Sequence, residues 1–132
     1  MIIRHLSALV LLLGLSPVVK ADPCVTQANT LEMNACARQQ LDAADAALNA
    51  AYKSLMAALP AENEPGVSGA PPRIALRNAQ RLWIKFRDAD CAARAQLYAG
   101  GTIVTIIHLS CMRQHVEQRT GELQQDQWLP EG

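Results

Sequence analysis

Apolar positions recur with a helical period through residues 30–59. At 100° per residue, Leu41, Leu48, Tyr52, Leu55, Met56 and Leu59 fall on one arc. Asn29 stands where an N-cap belongs, and Glu32 follows at the spacing of a capping box. No Gly or Pro interrupts until Pro60, so the pattern predicts one long helix. Three polar residues break it: Asn34, Asp45 and Asn49 lie on or beside the apolar arc. Residues 60–72 have no periodicity and hold four of the seven prolines, which predicts a flexible loop. Residues 73–98 read as a second helix, stopped by Gly100-Gly101, with Thr102 as cap for a third segment over 102–125. In that segment Ile103, Ile106 and Ile107 share a direction that Met112, Val116 and Leu123 do not. This predicts a break between about 104 and 110. The β-branched run from Thr102 to Ile107 has no partner strand, so it too is read as helix. Residues 126–132 read as a loose tail, with Trp128 either packing back or free. The fold class is all-α: a small disulfide-stapled antiparallel bundle of about three helices.

On the second helix, with Leu76 set at 0°, Trp83, Leu97 and Phe86 fall at about 340°, 300° and 280°. Arg87, Asp90 and Arg94 lie within the same arc, whereas Arg77, Arg81, Lys85 and Asp88 lie toward its edges as ordinary solvated charges. A charge in a core needs a partner, because an unpaired buried ion costs several kcal/mol. If the first two helices form an antiparallel hairpin, Asp45 comes level with Arg87, Asn49 with Trp83, and Tyr52 with Gln80. Arg119 of the third segment reaches the same height. This register predicts a polar cluster of Asp45, Asn49, Tyr52, Gln80, Trp83, Arg87 and Arg119, read as a structural network that fixes how the helices align.

The N-terminus changes the picture. Arg4 and His5 precede an apolar run from Leu6 to Leu15, Pro17 breaks it, and Val19-Lys20-Ala21 suits a signal peptidase. Residues 1–21 therefore read as a signal peptide, and 22–132 as a single domain that is periplasmic or secreted after cleavage near Ala21. Cys24 follows Asp22-Pro23 and lacks the small residue of a lipobox. Cleavage removes two of the twelve basic residues, Arg4 and Lys20, and leaves a net charge of about −2. With no basic tract, nucleic acid is not an expected partner. No apolar run reaches the roughly 20 residues of a membrane span.

The cysteines Cys24, Cys36, Cys91 and Cys111 all lie in the mature part, and an even count in a small exported chain reads as two disulfides. Three connectivities are open. Cys91 and Cys111 stand at similar distances either side of the Gly-Gly turn, which favours Cys91–Cys111 and, with it, Cys24–Cys36. There is no C-x-x-C pair for redox work.

Candidate chemistry is sparse. His108, Cys111 and His115 share a helix face that would suit zinc or copper, but an oxidised Cys111 leaves His108 and His115 as a weak site. Neither histidine has an evident nucleophilic partner, and no catalytic or cofactor fingerprint appears. No enzymatic role and no cofactor are expected. Glu62 and Glu64 in the loop, and Asp88 beside Trp83, are candidate contacts for a partner.

The stretches "TQANTLEMNACA", "LDAADAALNAAY", "AQRLWIKFRDADC" and "AGGT", with the later Cys111, Arg119 and Leu123, resemble the LprI-like family (the lysozyme inhibitor LprI N-terminal domain). The match runs over roughly residues 24–123. It departs at Thr102 and Val116, where the family often has Ser and Thr, and in lacking the lipobox of the namesake branch. The resemblance implies an all-helical exported domain and, at most, inhibition of lysozyme. The expected function is an exported protein-binding domain without catalysis, its partner a lysozyme-type hydrolase or another envelope protein. The alternatives are a metal-binding periplasmic protein and a purely structural or stress-related envelope protein.

Overall fold

The computed structural model describes residues 23–128. The expected signal peptide and residues 129–132 of the tail lie outside the described residues. A short 3-10 turn, Pro23–Thr26, leads into three helices: α1 (Thr30–Ala58), α2 (Pro72–Gln96) and α3 (Val104–Leu123). A second 3-10 turn, Asp126–Trp128, follows. Among the described residues there are no strands and no helix long and apolar enough to cross a membrane.

α1 starts where its cap predicts. The Asn29 side chain accepts a hydrogen bond from the Glu32 backbone N–H at 3.0 Å. Along α1 the residues turned inward are Ala37, Leu41, Ala44, Leu48, Ala51, Leu55 and Leu59. Through Leu55 their spacing alternates between four and three and alanine alternates with leucine; Leu59 follows at a further spacing of four. Such a seam lets another helix approach closely at each alanine while each leucine fills a gap.

The helix that takes this seam is α3, not α2. Gln40, Ala43 and Ala47 lie beside Arg113 and Glu117, and Ser54, Leu55 and Ala58 lie beside Leu123 and the turn that follows. α1 and α3 therefore run parallel, with α2 antiparallel to both. The close α1–α2 hairpin expected from chain order is corrected in that sense: α2 packs mainly on α3.

The same placement removes the expected break in the third segment, which is one helix. α3 buries Ile106, Leu109, Cys111, Val116 and Leu123. Because it touches both neighbours, its apolar positions face two directions, and two directions imitate a broken pattern. Thr102 does not cap it. Ile103 occupies the cap position with no side-chain hydrogen bond. Gly100, at φ +81°, turns the chain between α2 and α3 in a conformation that side chains rarely adopt.

Two long side chains close the lower end. Arg73, in the first turn of α2, donates to the backbone oxygens of Leu59 (2.7 Å) and Ala57 (3.3 Å), which satisfies carbonyls that the end of α1 leaves open. Trp128 folds back and donates its indole N–H to the Glu122 carbonyl at 2.7 Å. Of the two outcomes open for Trp128, packing back is the one observed, while Asp126 and Gln127 stay exposed. Asn63 donates to the carbonyls of Val67 and Gly69, so the connecting loop carries internal bonds of its own.

Both favoured disulfides form. Cys24–Cys36 ties the N-terminal turn onto α1, and Cys91–Cys111 joins α2 to α3.

Candidate functional site

Because α1 and α2 meet through long side chains, a groove of about 280 Å³ lies between them. Asp45, Leu48, Asn49 and Tyr52 line it from α1. Gln80, Trp83 and Arg87 line it from α2, with Arg77, Arg81 and Ile84. Six of the seven residues expected to cluster therefore share this one groove. They do not form one network. The Arg87 side chain is 13% exposed, and its nearest carboxylate is Asp88, to which Nη2 and Nε donate at 2.7 and 2.9 Å. Asp45 stands farther off, at 3.8 Å. The guanidinium also lies 5.2 Å from the centre of the Trp83 ring, within cation–π range.

One turn and more away, Arg119 donates to Gln80 Oε1 at 3.0 Å and to Glu122 at 2.9 Å. Gln80 is the buried polar residue that anchors this second group. Asn49 is exposed, and Tyr52 is half-buried against the core. Asp88, expected at an exposed edge as a partner contact, is exposed but already engaged by Arg87. Glu62 and Glu64 are exposed on the loop, on either side of Asn63.

A second polar group lies on the other flank of α2. His115 Nε2 and Asp90 Oδ2 are 2.7 Å apart, and Arg94 Nε reaches the same oxygen at 3.0 Å. Phe86 meets the His115 ring edge-on at 5.5 Å between centres. Asp90 and His115 lie beside Cys91 and Cys111, with candidate ligand atoms of all four within 4.8 Å of one another. His108 is not part of this group. The two sulfurs are bonded to each other, so the group offers an ion one carboxylate and one imidazole, already joined. The His108–Cys111–His115 face, the weak alternative for zinc or copper, is not assembled.

The chain matches the family model of lysozyme inhibitor LprI over residues 22–123. It belongs to the LprI family. An uncharacterised protein of Rhizobium meliloti (strain 1021) is 33% identical over 106 residues, covering 77% of this chain and 76% of the relative. No solved structure matches the chain. The matched LprI span takes in all three helices, both disulfides and the whole α1–α2 groove.

In this LprI domain the Asp90–His115 contact was not anticipated from sequence. The hydrogen bond with His115 holds the Asp90 carboxyl below the usual carboxylate range, partial burial opposes this, and the charge of Arg94 adds to the lowering. A carboxyl whose folded value is depressed stabilises the fold above its unfolded value of about 3.9, and this contribution is lost as pH falls through the folded value. Asp90→Asn is therefore expected to melt below the parent at neutral pH. The gap should close as pH drops below about 4. Thermal midpoints of both proteins across that range check this, and a gap that stays constant with pH would count against it.

Proposed function

We propose that this chain is an exported protein-binding domain that inhibits a lysozyme-type hydrolase by occupying it, with no catalysis of its own. The observation that carries the reading is the family match, which spans the entire stapled bundle and not one motif within it. Export belongs to the same proposal and rests on the Leu6–Leu15 apolar run and the Ala21 cleavage signal. Two disulfides suit an oxidising compartment.

The physical features fit a binder. Three helices locked by two covalent ties present a rigid surface, and rigidity lowers the entropy lost on association. The acidic pair on the loop, Glu62 and Glu64, is exposed and free to face a basic hydrolase. Rim charges of this kind mainly raise the association rate. Asp88 is the weaker contact because Arg87 already claims it.

The test is lysis of cell walls by lysozymes of several types, with the oxidised protein added at micromolar excess. Lysis by at least one type is expected to slow. Glu62→Lys with Glu64→Lys is expected to weaken that inhibition several-fold, most of all at low salt. Unslowed lysis by every type would overturn the proposal and leave a structural envelope protein as the reading.

A further inference from the structure

The α1–α2 groove holds donors with nothing to donate to. Gln80 is buried, only 9% exposed. Its side-chain oxygen accepts from Arg119, but its amide nitrogen has no partner among the described residues. A buried amide ordinarily bonds through both ends. The sealed unpaired atoms among the described residues lie elsewhere, on Asn34 and Gln40. The Gln80 nitrogen therefore opens on the groove that Gln80 lines. Trp83 and Tyr52 are half-buried in the same groove. The indole N–H and the hydroxyl are likewise unbonded among the described residues, although such polar ends usually find a partner.

Charge gives the ligand its sign. Arg77, Arg81 and Arg87 line the groove against one carboxylate, Asp45. Arg87 is already engaged by Asp88. Arg77 and Arg81 form no ion pair among the described residues. They stand four apart on α2, so their Cβ atoms are about 6 Å apart and both guanidiniums can close on one carboxylate.

The groove also has a direction. Asp45 lies 3.8 Å from Arg87, which sets those two residues level. Four residues on along α1 and four back along the antiparallel α2, Asn49 and Trp83 come level. Arg81 lies about 9 Å along the helix from Arg87. One end of the groove thus takes a negative group. The other end, at Asp45, takes a hydrogen-bond donor, and an amide and an aromatic ring lie between. A sulfate ion brings acceptors alone and leaves Asp45 facing a like charge. A ring that carries hydroxyls and one carboxylate satisfies both ends. The volume of about 280 Å³ is just under the roughly 300 Å³ at which sites for drug-sized ligands begin, which suits one ring and not a chain.

We propose that the α1–α2 groove binds one ring of an acidic saccharide. The carboxylate sits between Arg77 and Arg81, and hydroxyls bond to Gln80, Trp83 and Asp45. A single ring held by a few such bonds has a Kd on the order of 1 mM. The site does not depend on hydrolase inhibition.

Nuclear magnetic resonance of the oxidised, nitrogen-15-labelled protein tests the proposal, with glucuronate as the probe. Glucose and acetate, which each carry half of its chemistry, are run beside it. The Trp83 indole signal is expected to move saturably with glucuronate. The Trp128 indole, which is bonded to the Glu122 carbonyl, should stay still. Glucose and acetate should each bind at least about tenfold more weakly. Arg77→Gln and Arg81→Gln should each weaken glucuronate binding about tenfold, the loss of one charge-assisted bond. Both side chains are exposed, so the variants keep the fold, which their thermal midpoints check. A Trp83 signal that stays still up to about 50 mM glucuronate overturns the proposal. So does acetate binding as tightly as glucuronate, which marks an adventitious anion only, or glucose doing so. Unchanged glucuronate affinity in the Arg77→Gln/Arg81→Gln double variant overturns it as well.

Discussion

Replacing Cys91 and Cys111 together with serine is expected to lower the unfolding free energy by about 3 kcal/mol. The bond closes a loop of 20 residues in sequence, which restricts the unfolded chain. It also joins α2 to the rest of the bundle at a point where both cysteines are almost fully buried. A domain of this size loses about 4–8 °C in Tm per kcal/mol, so the midpoint should fall by roughly 12–24 °C. Cys24→Ser with Cys36→Ser should cost less. Its bond spans 12 residues and ties down only the segment before α1. Circular-dichroism melts of the two double variants check the order. A Cys91/Cys111 variant that melts within a few degrees of the parent would show that α2 is held by packing alone.

Leu48→Ala is expected to cost about 2–5 kcal/mol, toward the upper end. Leu48 is 5% exposed and sits in the α1 seam between Ala44 and Ala51. Alanine neighbours have nothing to extend into the cavity, so little relaxation offsets the lost contacts. Leu82→Ala, on the exposed face of α2, should change stability by no more than about 0.5 kcal/mol. Urea unfolding of both variants measures the contrast. Equal effects would mean that α1 does not pack as described.

The first two helices, their limits and both disulfides were legible because local rules govern them: a cap at Asn29, prolines and glycines at the ends, and cysteines level across a turn. The pairing of helices was less legible. Chain order suggested that α1 and α2 pack closely, yet the Ala/Leu alternation of α1 was the better guide, because small residues mark where a neighbour comes near. Phe86 and Leu97 were expected on the core side of α2, and they face solvent. A helix with two apolar directions does not say in its sequence which one its own bundle uses.

The Asp90–His115 contact was within reach. Once Cys91 and Cys111 are level on antiparallel helices, Phe86 and Asp90 must come within a turn of His115. The Arg87–Asp88 contact was not, since adjacent helical residues ordinarily point apart. Asp45 proved the longer-range partner and not the nearest one. The bonds of Arg73 and Trp128 depend on where helix ends meet in space, which no local pattern records.

The most direct measurement is a calorimetric titration of the oxidised protein, with no free thiols, into lysozymes of several types, run beside a lysis assay on the same samples. Saturable binding to at least one type is expected, with one hydrolase per inhibitor chain and lysis falling in step with occupancy. No binding heat and full lysis with every type, from protein whose circular dichroism shows the intact helical fold, would contradict the assignment of this domain as a hydrolase inhibitor.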